Sequence, residues 1–226
     1  MPYQSSTLTQ IVQFGVVNAY LVREDDGLTL IDGLIGNQTK RILAAAERMG
    51  APIKRVTITH AHPDHVGAID KILAAVPDAE FVVGERESKS LNAHVKLEPG
   101  EPKGLILPGN AGVKTVPNRL VNAGDTIGSL QVHAAPGHSV GQVAFLDPRD
   151  GTLICGDAYS TVGGVATTAG PYLKFPLPGS FTWHKPTALE TAKALRALDP
   201  SRLAPGHGRV VEQPGAAMDA AIARKS

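Results

Sequence analysis

Apolar positions along this chain recur with two periods, and the pattern switches several times between the twofold alternation of a strand and the 3.6-residue repeat of a helix. Residues 10–14 and 19–23 carry β-branched and aromatic side chains and read as strands. Asp25-Asp26-Gly27 is a hairpin turn signal, and residues 28–32 read as a buried strand. Asn37 then caps a helix over about 38–49, with Ile42, Leu43, Ala46 and Met49 on one face and Gly50 as its stop. Residues 54–59 alternate as a strand. From Asp64 a helical period returns, with Val66, Ile69, Ile72, Leu73 and Val76 on one face and Pro77 ending it, and 80–83 is another strand.

The second half repeats this grammar. Prolines and glycines crowd 97–118, which reads as a long loop, and long loops in compact domains are often functional. Strands are predicted at 120–121, 130–134, 142–146 and 152–155, with a turn at 148–151 between the last two. A helix over about 186–198 follows, placing Leu189, Ala192, Leu195 and Leu198 on one face. A short strand at 203–204 leads into Pro205-Gly206-His207-Gly208, and a final helix covers 216–224. Strands then helix, twice over, predicts an α/β protein of two similar halves with sheets inside and helices outside. A length of 226 residues suits one substantial domain spanning 1–226.

Composition narrows the function classes. Hydrophobic residues are 42% and charged residues 19%, ordinary for a soluble globular protein. The net charge of +1 comes from mixed signs with no basic stripe, which disfavours nucleic acid as a partner. Cys155 is the single cysteine, so no intrachain disulfide forms, and it reads as a small core residue. The first residues carry no leader pattern, and no apolar run approaches the roughly 20 residues of a membrane span. The expectation is a cytoplasmic protein acting on a small molecule, with self-association left open.

The candidate chemistry is concentrated in His60-Ala61-His62-Pro63-Asp64-His65, which packs four metal-ligand types into six residues. Imidazole with carboxylate suits zinc, iron or manganese better than calcium. Three further ligand types, His138, Asp157 and His207, each lie on a glycine-containing loop after a predicted strand. Strands aim such stretches, and glycine lets backbone turn close to an ion.

Together with Asp32 at the end of an early strand, these residues resemble the metallo-β-lactamase superfamily in order and spacing, over residues 32–207. The resemblance implies a four-layer αββα sandwich with its active site along the edge where the halves meet. It assigns His60, His62 and His138 to one metal, Asp64, His65 and His207 to a second, and Asp157 to a bridge between them. Asp32 becomes a residue that orients the hexapeptide loop. The implied cofactor is two divalent ions, zinc first, with iron or manganese as alternatives. The implied activity is hydrolysis of a small ester-like substrate, a lactone or thioester, by a hydroxide the two ions share. Asp64 is the candidate proton shuttle. Tyr159 is a candidate hydrogen-bond donor to substrate, by resemblance to the lactonase branch. Glyoxalase-type thioesterases share the ligand set, but this chain ends 19 residues after His207, which leaves little of their usual glutathione-binding region. The alternative from another class is an iron-dependent persulfide dioxygenase on the same pattern. Specificity is expected from loops 84–118 and 159–183, with Tyr20, Tyr172, Phe175, Phe181 and Trp183 as candidate pocket residues. His94 and His184 are candidates near substrate, while His133 reads as structural.

Overall fold

The computed structural model describes residues 2–92, 95–106 and 112–224. In the first half, β1 (Leu8–Gln13) and β2 (Val17–Glu24) form an antiparallel hairpin. β3 (Gly27–Ile31) pairs back on β2, and α1 (Thr39–Met49) crosses over to the parallel β4 (Ile53–Thr57). After α2 (Pro63–Val66) and α3 (Ile69–Ala75) come the parallel β5 (Glu80–Gly84), the single turn α4 (Glu85–Ser88) and β6 (Arg119–Val121). The second half runs β7 (Thr126–Ile127), β8 (Leu130–Ala134), β9 (Val143–Asp147), β10 (Thr152–Ser160), β11 (Ala166–Thr167), α5 (Leu177–Ser180), α6 (Lys185–Ala197), β12 (Arg202–His207), β13 (Val211–Glu212) and α7 (Gly215–Arg224).

Strand order is β6-β5-β4-β3-β2-β12-β10-β9-β8-β7. The halves touch through β2 and β12 at one pairing, Val17 with His207. The twofold alternation of side chains turns this path into a sandwich. Leu21, Leu28 and Leu30 face a core shared with Ile42 of α1 and Ile69 and Ile72 of α3. Their neighbours Tyr20, Val22 and Ile31 face the other way, into a core shared with Val132, Phe145, Ile154 and Ala204 of the second half. Leu153 and Leu203 face a third core under α6 and α7, with Ala192, Leu195 and Met218. Three cores between four layers give the expected αββα arrangement.

Several expectations change in detail: the N-cap of α1 is Gln38 rather than Asn37, and the strand expected at 152–155 runs on to Ser160. Phe14, read as the end of a strand, is instead the first residue of the β1–β2 turn, with φ of +54°. The helix expected over 64–76 is two helices, broken at Gly67-Ala68. The Gly67 N–H donates to Leu34 O (2.9 Å), and a Cβ at Gly67 would lie 2.2 Å from Gly36 N and 2.6 Å from Leu34 O. The chain therefore bends to seat the α2–α3 corner on the loop after β3. Gly67→Ala should destabilise the fold by about 1–3 kcal/mol, because the intruding methyl meets backbone that cannot rotate away; urea denaturation checks this.

Candidate metal centre

β3, β4 and β12 all point their C-terminal ends at the same edge of the sandwich, and the candidate ligands follow from those ends. In open α/β sheets this is the edge where crevices form. His60 lies three residues after β4. His62 is extended (φ −73°, ψ 152°), as a residue before proline prefers, and it precedes Pro63 at the first position of α2. That short turn places Asp64 and His65 beside it. His138 follows β8, Asp157 lies within β10, and His207 ends β12.

The hydrogen bonds at the rear of three histidines fix which ring nitrogen faces the centre. Thr59 Oγ1 donates to Asp32 Oδ2 (2.9 Å), so it accepts from His60 Nδ1 (3.1 Å) and leaves Nε2 of His60 bare. Thr182 Oγ1 donates to Pro178 O (2.9 Å) and accepts from His138 Nδ1 (3.2 Å), leaving that ring's Nε2 bare as well. His65 Nδ1 donates to Asp32 Oδ2 (2.8 Å). Orienting an imidazole through its outer nitrogen in this way is a familiar support for metal-binding histidines.

The inner atoms then crowd together. His62 Nδ1 lies 3.1 Å from His60 Nε2 and 3.0 Å from His138 Nε2, and it can donate to only one of them. His65 Nε2 and Asp157 Oδ1, 3.4 Å apart, are both buried with no hydrogen-bond partner. His207 Nε2 lies 3.2 Å from Asp64 Oδ2 and 3.1 Å from Asp157 Oδ2, and the latter carboxylate also reaches His138 Nε2 at 3.4 Å. Three donor sets have their ligand atoms within 4.8 Å of one another: His60–His62–His138, His60–His65–Asp157 and Asp64–His65–His207. Converging donor atoms that cannot all satisfy one another, beside orphaned buried polar atoms, fit a site for cations.

Comparison with known proteins shows the family. A family model described as the metallo-beta-lactamase superfamily matches residues 12–207. The chain belongs to the metallo-β-lactamase superfamily. A Bacillus subtilis relative, the uncharacterized protein YobT, is 39% identical over 223 residues, covering 97% of this chain and 96% of that protein. The hydroxyacylglutathione hydrolase of Xanthomonas axonopodis pv. citri is 29% identical over 143 residues, 63% of this chain but 46% of that enzyme. Among solved structures, TTHA1623 in a di-iron-bound form is 27% identical with a TM-score of 0.65, covering 95% of this chain and 96% of that one. The BLEG-1 B3 metallo-beta-lactamase, 20% identical with a TM-score of 0.68 over 92% of this chain and 95% of that one, shares the fold.

Electrostatics divide the superfamily cluster into two kinds of group. Burial, helped by neighbouring imidazoles, holds His60 well below its ordinary value, and burial takes His62 down to about 4 and His138 to about 3. These three rings are neutral at pH 7, the form that binds a cation. At the other end burial opposes charge, but Asp157 and Asp64 outweigh it and raise His207 to about 9. Burial likewise pushes Asp157 up, yet His207, His65 and His138 hold its carboxyl well below the usual range.

Asp32, expected to orient the hexapeptide loop, contacts both ends of it. It is buried, with φ of +64°, and accepts from Thr59 N (2.7 Å) as well as from Thr59 Oγ1 and His65. Tyr159, expected to face substrate, does not. Its hydroxyl donates to Ala192 O (2.7 Å) and its ring is fully buried in the core under α6 and α7. The pairing of β10 with β12 shifts register between Gly156 and Ser160, and Gly156 has φ of +51°, so the strand's alternation fails there and Tyr159 turns away from Asp157's side. Cys155 is buried in the same core, as expected. His184 caps α6 through Thr187 N, His133 lies on β8 away from the cluster, and His94 lies outside the described residues. Of the candidate pocket residues, Phe175 and Phe181 line the cavity at the cluster. Tyr20 and Trp183 are buried elsewhere, and Tyr172 bonds Gly163 O at the surface.

One supporting residue had no sequence signal. Glu87, fully buried at the end of α4's single turn, accepts from Ala61 N (2.7 Å), Ser139 Oγ (2.9 Å) and Gly141 N (3.0 Å). It therefore ties the hexapeptide to the loop that carries His138. Burial pushes its carboxyl up to about 7 against these three donors. Glu87→Gln turns one acceptor oxygen into a donor facing a backbone or hydroxyl donor. The expected result is a loss of about 1–3 kcal/mol in stability and about 10- to 100-fold weaker metal binding. Thermal unfolding and metal titration read the two effects separately.

Proposed function

We propose that this chain is a dinuclear metal-dependent hydrolase acting on a small ester-like substrate, a lactone or a thioester. The observation that carries the reading is the pair of donor sets, His60–His62–His138 and Asp64–His65–His207, with Asp157 within 3.4 Å of His65 and His138 and 3.1 Å of His207. The first set would hold one ion, the second set the other, and Asp157 would span both. When bound, such ions supply a water acidified toward neutrality and polarise the attacked carbonyl oxygen. Zinc heads the expected metals, and the similar di-iron structure keeps iron in the test.

The chain's own residues do the rest. His60, His65 and His138, pinned from behind by Thr59, Asp32 and Thr182, present fixed lone pairs. Asp64 is the partly exposed carboxylate of the cluster and lines the cavity. It accepts a proton from the attacking water and delivers it to the departing alkoxide or thiolate oxygen or sulfur. The similarity to hydroxyacylglutathione hydrolases supports acyl transfer to water as the reaction class. The completeness of the second donor set favours the hydrolase over the dioxygenase, which needs the first set alone.

Purified protein should carry about two equivalents of divalent metal and hydrolyse members of a lactone and thioester panel, with both properties lost in His62→Ala. One equivalent of iron with oxygen uptake on glutathione persulfide, and no hydrolysis, would overturn the reading. Asp64→Asn that retains metal should lower kcat by about 10²- to 10⁴-fold with a smaller change in KM.

A further inference from the structure

The cluster opens into a cavity of about 560 Å³, within the range that accepts small organic ligands. Its walls beyond the cluster are apolar. Phe14, Val16 and Ile35 come from the first half; Phe175, Leu177 and Phe181 come from the segment between β11 and α6. Among the described residues, no lysine, arginine, serine, threonine, asparagine or glutamine lines it. Of the nine large hydrophobic residues exposed on the described surface, four stand here: Phe14 at 78%, Leu177 at 54%, Phe181 at 45% and Ile35 at 40%. Clustered exposed apolar surface marks a place where something else binds.

Phe14 makes the case independently of the cavity. Phe14 and Gly15 have φ of +54° and +76°, and Val16 N bonds Gln13 O at 3.1 Å, so the three-residue connection between the paired Gln13 and Val17 contains a turn with two successive left-handed residues, as in type I′. Such turns favour Asn-Gly, because asparagine tolerates the left-handed region and bulky side chains do not. This chain puts a phenylalanine in the strained position and leaves it exposed to water. Neither local conformation nor folding stability accounts for that choice, and residues that break a local rule without a structural gain concentrate at functional sites.

We propose that the cavity is a subsite for an uncharged apolar chain on the substrate, gripped between Phe14 on the hairpin and Phe181 opposite, with the scissile group turned to the cluster. The proposal rests on the hydrolase reading and specifies its substrate class: neutral esters, thioesters or lactones bearing an alkyl or aryl group. Beyond the cluster, the lining among the described residues holds no lysine or arginine to receive an anionic group such as a carboxylate at the far end of that chain.

Two measurements test it. The first is kcat/KM of the metal-loaded enzyme on uncharged acyl thioesters from C2 to C8, against chains of equal length ending in a carboxylate. The neutral series should rise about two- to fourfold per methylene, and the carboxylate series should be at least about tenfold poorer at C8. The second is binding of N-phenyl-1-naphthylamine, a neutral apolar fluorophore, to the protein with and without metal. Phe14→Asn relaxes the turn, so its Tm should equal or exceed that of the parent. Its chain-length slope should flatten, with the loss in KM, and its fluorophore binding should weaken about tenfold or more. Phe181→Ser should weaken fluorophore binding in the same direction. A flat or falling chain-length series, a preference for the carboxylate series, or unchanged slope and fluorophore binding in Phe14→Asn would overturn the proposal. Fluorophore binding that depends on Phe14 and Phe181, with no hydrolysis of any ester, would uphold the subsite and sink the hydrolase reading instead.

Discussion

A buried carboxylate at the end of β3 sets the geometry of the hexapeptide side of the cluster. Asp32 leaves its strand in a left-handed conformation, which turns its side chain under the hexapeptide instead of along the sheet. There it takes hydrogen bonds from Thr59 N, Thr59 Oγ1 and His65 Nδ1. Through Thr59 it also sets the orientation of His60. One carboxylate thus determines the tautomer of two imidazoles and the path of the backbone between them. A non-glycine residue in that region costs about 1 kcal/mol or more. It persists because three buried donors would otherwise lack an acceptor.

The same logic extends across the molecule. The sheets meet at a single pairing, Val17 with His207, so the cluster straddles a joint where few main-chain hydrogen bonds hold the halves together. Gly208 N to Val16 O (2.9 Å) and Val143 N to Thr59 O (3.0 Å) are further main-chain ties, and side chains supply more. Glu87 binds the hexapeptide to the His138 loop, and Asn18 and Tyr20 of β2 both donate to Pro205 O beside His207. Each tie is a buried polar contact, strong when complete and costly when one member is lost. Cations among the converged donors would add to the same joint, because the unfolded chain cannot gather those groups.

The candidate donor residues and the layered architecture were legible in the sequence because both depend on local pattern. Donor types within six residues need no tertiary information to be noticed, and twofold alternation reports which core a strand residue faces. What escaped depends on the path of the chain in space. Glu87 stands in Glu85-Arg86-Glu87, which reads as a solvated charged run, and only the docking of α4 against the 139–141 loop buries it. Tyr159 stands two residues from Asp157, a spacing that puts both on one face only in a regular strand and fails at the register shift beyond Gly156. The break at Gly67 reflects a close backbone approach to Leu34 and Gly36 that no helical periodicity encodes. Phe14 looked like a strand hydrophobe because nothing in Gln13-Phe14-Gly15 marks the phenylalanine as the turn residue.

These successes and failures fall on different parts of the molecule for a physical reason. The candidate donors come from strand ends and are braced by buried hydrogen bonds, so their positions follow from the core. The cavity walls come from a hairpin tip and from the irregular stretch before α6, where the core imposes little and side chains are free to differ. A polar, tightly braced floor beside an apolar, loosely determined rim separates chemistry from selection. On the proposed hydrolase reading the floor would settle what kind of bond can be broken. The rim would then settle which molecule brings that bond within reach, through phenylalanine and leucine side chains that the fold itself has no need to expose.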